Sequence, residues 1–158
     1  MKLYIKQKVF SFRGRFYIRD EKNRDRFYAE GVPFTWGRKL YVYDIKGNQV
    51  GFISKKIWSF LRKYYIEVGG RTYTLVKEYT FFRSRYYLEG LSWTMKGDFM
   101  AHEYSLEDYK GIVMSMSKHW FTWGDSYELD IVDPDNEVLC LSIALAIDCM
   151  NADSSNNN

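Results

Sequence analysis

Apolar and polar residues alternate along most of the chain, in short runs separated by turn residues. This pattern is typical of strands with one buried face. Gly47-Asn48 and Gly69-Gly70 each separate two such runs and tolerate positive φ, so both predict hairpins. Twelve short strands at this spacing favour a barrel. The predicted strands cover 4–10, 15–19, 26–29, 39–44, 49–54, 64–68, 71–76, 86–91, 93–96, 99–104, 111–118 and 127–132.

Two segments depart from the alternation. Residues 57–64 also match helical spacing, but the strands on either side favour a bend there. The run 138–147 carries no charge, and Asp133 with Pro134 predicts an N-cap and a first helical residue. A helix that is apolar on every face must be buried. Ten residues span about 15 Å, half of a bilayer core, so the helix is expected inside the barrel.

Length and composition agree with a mainly β domain. The 158 residues suit one domain, predicted over 2–151 and followed by a polar tail at 152–158. The chain is expected to fray beyond Asp148. Tyr, Phe and Trp total 30 residues, and only two prolines interrupt the chain. Cys140 and Cys149 would lie about 13 Å apart along the helix, which predicts reduced core thiols. The N-terminus lacks a signal-peptide pattern, so a cytoplasmic protein is expected.

Charge is divided unevenly between the two halves of the chain. Residues 1–85 hold 20 of the 23 Lys and Arg residues and 7 of the 20 acids, a net charge of +13. Residues 86–158 hold 3 basic and 13 acidic residues, a net charge of −10. The first half is either an anion-binding face or a surface that the second half neutralises.

Six stretches carry a further signal: 4–8, 18–21, 39–47, 97–102, 123–125 and 147–148. Together they resemble the LURP-one-related family, in the bacterial branch of single domains. The resemblance covers about residues 2–151 and implies a tubby C-terminal-like fold, a twelve-stranded barrel around a C-terminal helix, shared with tubby proteins and phospholipid scramblases. Tubby domains bind phosphoinositide headgroups through basic residues, but neither their site nor that of scramblases matches here residue by residue. A lipid role is therefore an analogy of fold.

Sequence motifs for catalysis are absent. The chain has no nucleophile elbow, phosphate-binding glycine loop or zinc-binding histidine pair, and His102 and His119 stand apart. No enzyme, cofactor or metal site is predicted. Asp133, Asp135 and Glu137 suggest either a scramblase-like calcium site or, as we favour, caps at the positive end of the helix dipole.

The densest basic groups are the candidate anion-binding residues: Lys55, Lys56, Arg62, Lys63, Arg13 and Arg15. Trp58, Phe60 and Tyr64 flank the first four, and such aromatics insert at headgroup interfaces. The alternative is a solvated strand edge that lysines protect against aggregation. Nucleic acid is a poorer ligand, because no recognition helix is predicted.

Three functions follow from this pattern. The leading hypothesis is a non-catalytic module that binds anionic phospholipid headgroups peripherally, at the inner face of a membrane, without a transmembrane segment. The second is a protein interaction scaffold that uses the acidic second half. The third is a small-ligand-binding barrel or an enzyme of unknown reaction. The acidic residues of the second hypothesis include Asp98, Glu103, Glu107 and Asp108.

Overall fold

Twelve antiparallel strands form one sheet that curls into a nearly closed barrel, as predicted. The computed structural model describes residues 1–6, 14–33, 36–79, 84–121 and 124–155. Residues 7–10 of the first predicted strand lie outside these ranges. The strands are β1 (Lys2–Lys6), β2 (Gly14–Asp20), β3 (Asp25–Gly31), β4 (Lys39–Asp44), β5 (Gln49–Lys55), β6 (Arg62–Val68), β7 (Arg71–Tyr79), β8 (Ser84–Glu89), β9 (Thr94–Asp98), β10 (Glu103–Asp108), β11 (Gly111–Phe121) and β12 (Gly124–Ile131).

The strand order follows the sequence, with one long-range closure. β1 pairs with β12, so the order runs from β8 back to β1 and then from β12 back to β9. β8 and β9 stand at the two ends of this order and lie close together. Both predicted hairpins are present, with positive φ at Gly47 and at Gly69 and Gly70.

The C-terminal helix α1 (Glu137–Ser155) fills the barrel. A short 3-10 helix at Pro134–Asn136 precedes it, and the side chain of Asp133 caps that turn by accepting from the amide of Asp135, as the sequence predicts. Every residue from 140 to 151 is buried. The inner face of the strands supplies the surrounding core, which includes Leu3, Ile5, Ile18, Ala29, Leu40, Val42, Ile53, Ile66, Leu75, Leu106, Met114 and Leu129.

Both cysteines lie in this helix as free, buried thiols. Burial raises the pKa of Cys140 to about 12 and that of Cys149 well above its ordinary value. They therefore behave as small core side chains, as predicted.

The helix is longer than the predicted apolar run. It continues to Ser155, so the prediction that the chain frays beyond Asp148 is wrong for residues 149–155. Polar side chains in this last part find partners on the barrel wall, which the sequence pattern did not reveal. The domain boundary placed at residue 151 stays a prediction.

The predicted strand over 99–104 is also wrong for residues 99–102, which form a turn between β9 and β10. The side chain of Asp98 accepts from the amides of Met100 and Ala101, both at 3.0 Å, and this bonding competes with strand pairing. His102 ends the turn with φ of 60°. Gly97, just before the turn, has a φ of 115°. A Cβ at this position would collide with the backbone of Glu103.

Replacing Leu141 with Asp tests the buried helix. The side chain is fully buried, so the variant must bury a charge without a partner, and we expect it not to fold. Val132→Asp is the control, because Val132 is exposed, and it should unfold cooperatively with nearly wild-type stability. Urea unfolding followed by circular dichroism measures both. A cooperative Leu141→Asp variant of wild-type stability would contradict the architecture.

Candidate functional site

One end of the barrel collects both exposed aromatic residues and inward-facing cations. Because neighbouring strands are antiparallel, the connections that follow odd-numbered strands all leave the barrel at the same end. They include 32–38, 56–61 and 99–102. Helix α1 starts at the opposite end and its last turn reaches this one, where Asn151 donates to the carbonyl of Phe99 at 2.7 Å. We call it the basic end.

Four cations line the inner wall here, and we call Arg38, Lys55, Arg62 and Lys77 the basic cluster. Each stands two residues from a buried inward-facing side chain, so strand alternation turns it toward the barrel axis. Those four buried neighbours are Leu40, Ile53, Tyr64 and Leu75. Arg38 directly precedes β4, and the other three belong to β5, β6 and β7, which follow one another in the sheet.

Asp153, in the last turn of α1, neutralises part of this cluster. Its carboxylate lies 2.9 Å from Arg38 Nη2 and 2.8 Å from Lys55 Nζ, and it accepts from the Tyr64 hydroxyl at 2.7 Å. Burial alone would raise the pKa of Asp153, but hydrogen bonds from Lys55 and Tyr64 and the charges of Arg38 and Lys55 outweigh it and hold the pKa below its ordinary value. Ion pairs and a hydrogen bond thus attach the end of the helix to the strands around it.

The hydroxyl of Ser154 accepts hydrogen bonds from the other two cations of the basic cluster. Arg62 Nη1 donates to its hydroxyl oxygen at 2.6 Å and Lys77 Nζ at 3.2 Å. Lys77 is only 2% exposed, and its ammonium also lies 5.4 Å from the centre of the Tyr79 ring and 5.0 Å from that of Tyr86. Burial lowers the pKa of Lys77, and the charge of Arg62 adds to this.

Large apolar side chains project from the adjacent connections. Trp36 is 82% exposed and Trp58 is 88% exposed, while Phe60 is completely exposed and Ile57 about half. The two connections start from neighbouring points, since Lys55, which ends β5, donates its amide to the carbonyl of Arg38, which precedes β4, at 2.9 Å. We call Trp36, Ile57, Trp58 and Phe60 the aromatic rim. Single exposed apolar residues need no explanation, whereas a group of large ones beside cations is a candidate interaction surface.

The structure brings together only some of the predicted anion-binding residues. Lys55 and Arg62 belong to the basic cluster. Lys56 is exposed at the basic end, with its ammonium 5.7 Å from the centre of the Tyr65 ring. Lys63 occupies the outer face of β6, where it pairs with Glu89 at 3.2 Å. Arg38 and Lys77 were missed, although strand alternation could have placed both on the inner face.

Other predicted residues are further from the cluster. Arg15 lies on the outer face of β2, where it pairs with Glu30 at 2.6 Å and covers the Tyr28 ring. Arg13 lies outside the described residues. The interpretation of Tyr64 as a membrane-inserting aromatic is wrong, because it is fully buried and bonded to Asp153.

The acidic residues of the second half are engaged in local contacts. Asp98 and Asp108 each accept from amides of the turns that follow them. Glu103 accepts from the amide of Lys118 at 2.9 Å, and Glu107 pairs with Lys96 at 2.5 Å. These contacts explain the four acids without a partner protein.

The acids before the helix have structural contacts as well. Asp133 caps the 3-10 turn, and Asp135 supplies the amide that it accepts from. Glu137 is buried and receives two hydrogen bonds from Arg26, both 3.0 Å long. The capping interpretation therefore accounts for Asp133, and an ion pair accounts for Glu137.

A second polar group lies deeper in the barrel. His102 Nε2 is 2.7 Å from Asp148 Oδ1, both side chains are buried, and the imidazole stacks on the Tyr127 ring. Burial raises the pKa of Asp148, while the hydrogen bond and charge of His102 oppose the rise. The pair ties the 99–102 turn to the helix. The side chain of His119 is not among those described.

Comparisons with known proteins match most of the chain. A family model described as LURP-one-related matches residues 1–148. The uncharacterized protein YxjI of Bacillus subtilis (strain 168) is 37% identical over 149 residues, which cover 94% of this chain and 92% of that protein. The crystal structure of an Arabidopsis thaliana protein is 16% identical with a TM-score of 0.60, covering 93% of this chain and 89% of that one. This last match shows the fold alone.

Neither the family description nor the Bacillus protein's name states an activity. Neither helix in the described ranges is long and apolar enough to cross a membrane.

Changing Asp153 to Asn tests whether the helix end is locked by charge. Because the folded-state pKa is lowered, the stabilisation is present above the unfolded pKa of about 4 and is lost as pH falls below it. We expect Asp153→Asn to cost about 2–3 kcal/mol at pH 7 and progressively less below about pH 4. Urea unfolding of both proteins between pH 7 and pH 3 measures this.

Asp25→Asn is the control, since Asp25 pairs with Arg19 at an exposed site and should cost less than about 1 kcal/mol. A penalty for Asp153→Asn that stays constant down to pH 3 would rule out the ionic lock.

Proposed function

This chain belongs to the LURP-one-related family, and for this member we propose peripheral binding to an anionic phospholipid surface through the basic end of the barrel. The observation that carries the proposal is the juxtaposition of the aromatic rim with the basic cluster and Lys56. Apolar rings and cations at one end match the two layers of a bilayer interface, acyl chains below and charged headgroups above.

The energies of the two groups are sufficient together. A tryptophan or phenylalanine side chain that enters the acyl boundary contributes up to about 2–3 kcal/mol. A lysine or arginine near an anionic surface contributes about 1 kcal/mol, which decreases with salt. Two rings and two cations together give about 6–8 kcal/mol, and when half of this is lost to immobilisation the remaining ~3–4 kcal/mol corresponds to millimolar association, which is sufficient for flotation at millimolar lipid concentrations.

The opposite end of the barrel offers a matched comparison. Tyr109 is 87% exposed in the connection between β10 and β11, and the ammonium of Lys110 lies 5.4 Å from the centre of its ring. That end therefore also carries an exposed aromatic beside a lysine, and Ile45, Ile112 and Val132 are exposed there as well. Within the described ranges, the basic end differs by its two exposed tryptophans and its four inward cations. If only variants at the basic end lose binding, the protein recognises the membrane through that end. An equal loss at both ends would indicate nonspecific adsorption.

Flotation with liposomes of rising phosphatidylglycerol content, at several salt concentrations, tests the proposal. Wild-type protein should float in proportion to anionic lipid and less at high salt. Trp58→Ser combined with Lys56→Glu should reduce binding at least about tenfold, since it removes one ring and reverses one charge.

The control combines Tyr109→Ser with Lys110→Glu and should float like wild type. The proposal fails if wild-type protein does not float at low salt, or if both double variants lose binding equally. The first of these results would make a protein partner the better explanation of the exposed rim.

A further inference from the structure

Arg62 and Lys77 form the least balanced part of the basic cluster. They face each other directly across β6 and β7 on the inner wall, and both donate to the hydroxyl oxygen of Ser154. That hydroxyl donates its own hydrogen to the carbonyl of Met150 at 3.0 Å, so it meets the two cations as a neutral acceptor. Like charges directly opposite each other destabilise a strand pair.

No carboxylate lies within ion-pair distance of Arg62 or Lys77 among the described residues. Lys55 on the neighbouring strand β5 and Arg38 just before β4 share the carboxylate of Asp153 instead. The remaining polar neighbour of Lys77 is the sulfur of Met100, 3.9 Å from its ammonium. A lysine buried in this way with a second cation and only neutral acceptors is costly, and an anion would remove the cost.

The geometry also indicates which kind of anion fits. Arg62 offers a planar fork of donors and Lys77 a point charge, and the Tyr79 hydroxyl lies 3.5 Å from the same Ser154 oxygen. Three donor groups from three directions suit a terminal phosphoryl group, which has three oxygens and a charge of about −1.5 to −2 at pH 7. A phosphodiester has only two free oxygens and one charge.

The position of the Ser154 hydroxyl lies near the surface. Ser154 is half-buried in the last described turn of α1, and Tyr79 beside it is more than half exposed. Rotation of the Ser154 side chain about χ1 would vacate the position between the two cations and open it toward solvent past Tyr79.

We infer that Arg62, Lys77 and Tyr79 bind a phosphate monoester, whose oxygens replace the Ser154 hydroxyl. The inference deepens the proposed function, because some lipid headgroups end in a phosphate monoester, as do many free metabolites. It does not depend on membrane binding, since the site would also take the soluble ester.

Thermal unfolding with glycerol 3-phosphate, compared with sodium chloride of equal ionic strength, tests the site directly. The ester should raise the midpoint of wild-type protein, because a ligand that binds the folded state stabilises it. Lys77→Met and Arg62→Gln should each weaken the apparent affinity at least about tenfold. Lys63→Gln, on the outer face of the same strand as Arg62, should respond like wild type.

Ser154→Asp gives an independent check. It tethers a carboxylate between the two cations, so the variant should unfold at a higher temperature without ligand and should no longer respond to the ester. A wild-type midpoint that glycerol 3-phosphate does not move beyond the salt control overturns the inference. A response that both Lys77→Met and Arg62→Gln retain overturns it equally.

Binding to vesicles distinguishes a lipid from a soluble metabolite as the source of the phosphate monoester. It also distinguishes a failure of this inference from a failure of the proposed function. If the lipid is the source, phosphatidic acid vesicles should bind wild-type protein more tightly than phosphatidylglycerol vesicles of equal charge, and Lys77→Met should remove the difference. If soluble ester binds but the two vesicles do not differ, the ligand is a free phosphate monoester. Binding to phosphatidylglycerol without any response to the ester supports the proposed function and contradicts the site.

Discussion

The burial of an apolar helix is the constraint on which the rest of this structure depends. Helix α1 has no polar face over 140–147, so it can be stable in water only when apolar surface surrounds it. A sheet of twelve strands provides that enclosure, and alternation supplies one inward apolar side chain for every second residue. At 19 residues the helix is about 28 Å long, enough to run from one end of the barrel to the other.

Polar contacts at its two ends fix the helix in this enclosure. Arg26 holds Glu137 at the start through two hydrogen bonds, and Arg38, Lys55 and Tyr64 hold Asp153 near the end. The cations at the second end exceed what Asp153 can neutralise. The position of the helix thus accounts for Arg38 and Lys55, which pair with Asp153, whereas Arg62 and Lys77 donate to the neutral hydroxyl of Ser154.

The charge difference between the halves of the chain has two structural sources. Among the described residues, five pairs join a lysine or arginine of the first half to an acid of the second, so the two halves neutralise each other in part. Three further pairs lie within the first half. The excess positive charge that remains includes Arg62 and Lys77, and the interpretation of the first half as an anion-binding face stays a prediction. The five pairs are Lys2–Glu128, Arg26–Glu137, Arg38–Asp153, Lys55–Asp153 and Lys63–Glu89.

The sequence predicted the barrel, both glycine hairpins and the buried helix because period-two alternation and an uncharged run are local signals. It missed the end of the helix, since Asp153 and Ser154 resemble a solvated tail until their partners on β5 and β6 are known. It grouped Lys55 with Lys63 by proximity in the chain, although alternation separates the inner from the outer wall. Tyr64 was misassigned for the same reason.

Fluorescence quenching by brominated lipids tests the central claim, that the basic end faces an anionic membrane, most directly. A protein that keeps Trp58 as its only tryptophan should be quenched strongly by brominated phosphatidylglycerol vesicles, and its emission should shift to the blue. A matched protein that keeps only Trp93, on the connection at the opposite end, should not be quenched. Equal quenching of both, or of Trp93 alone, would contradict the account.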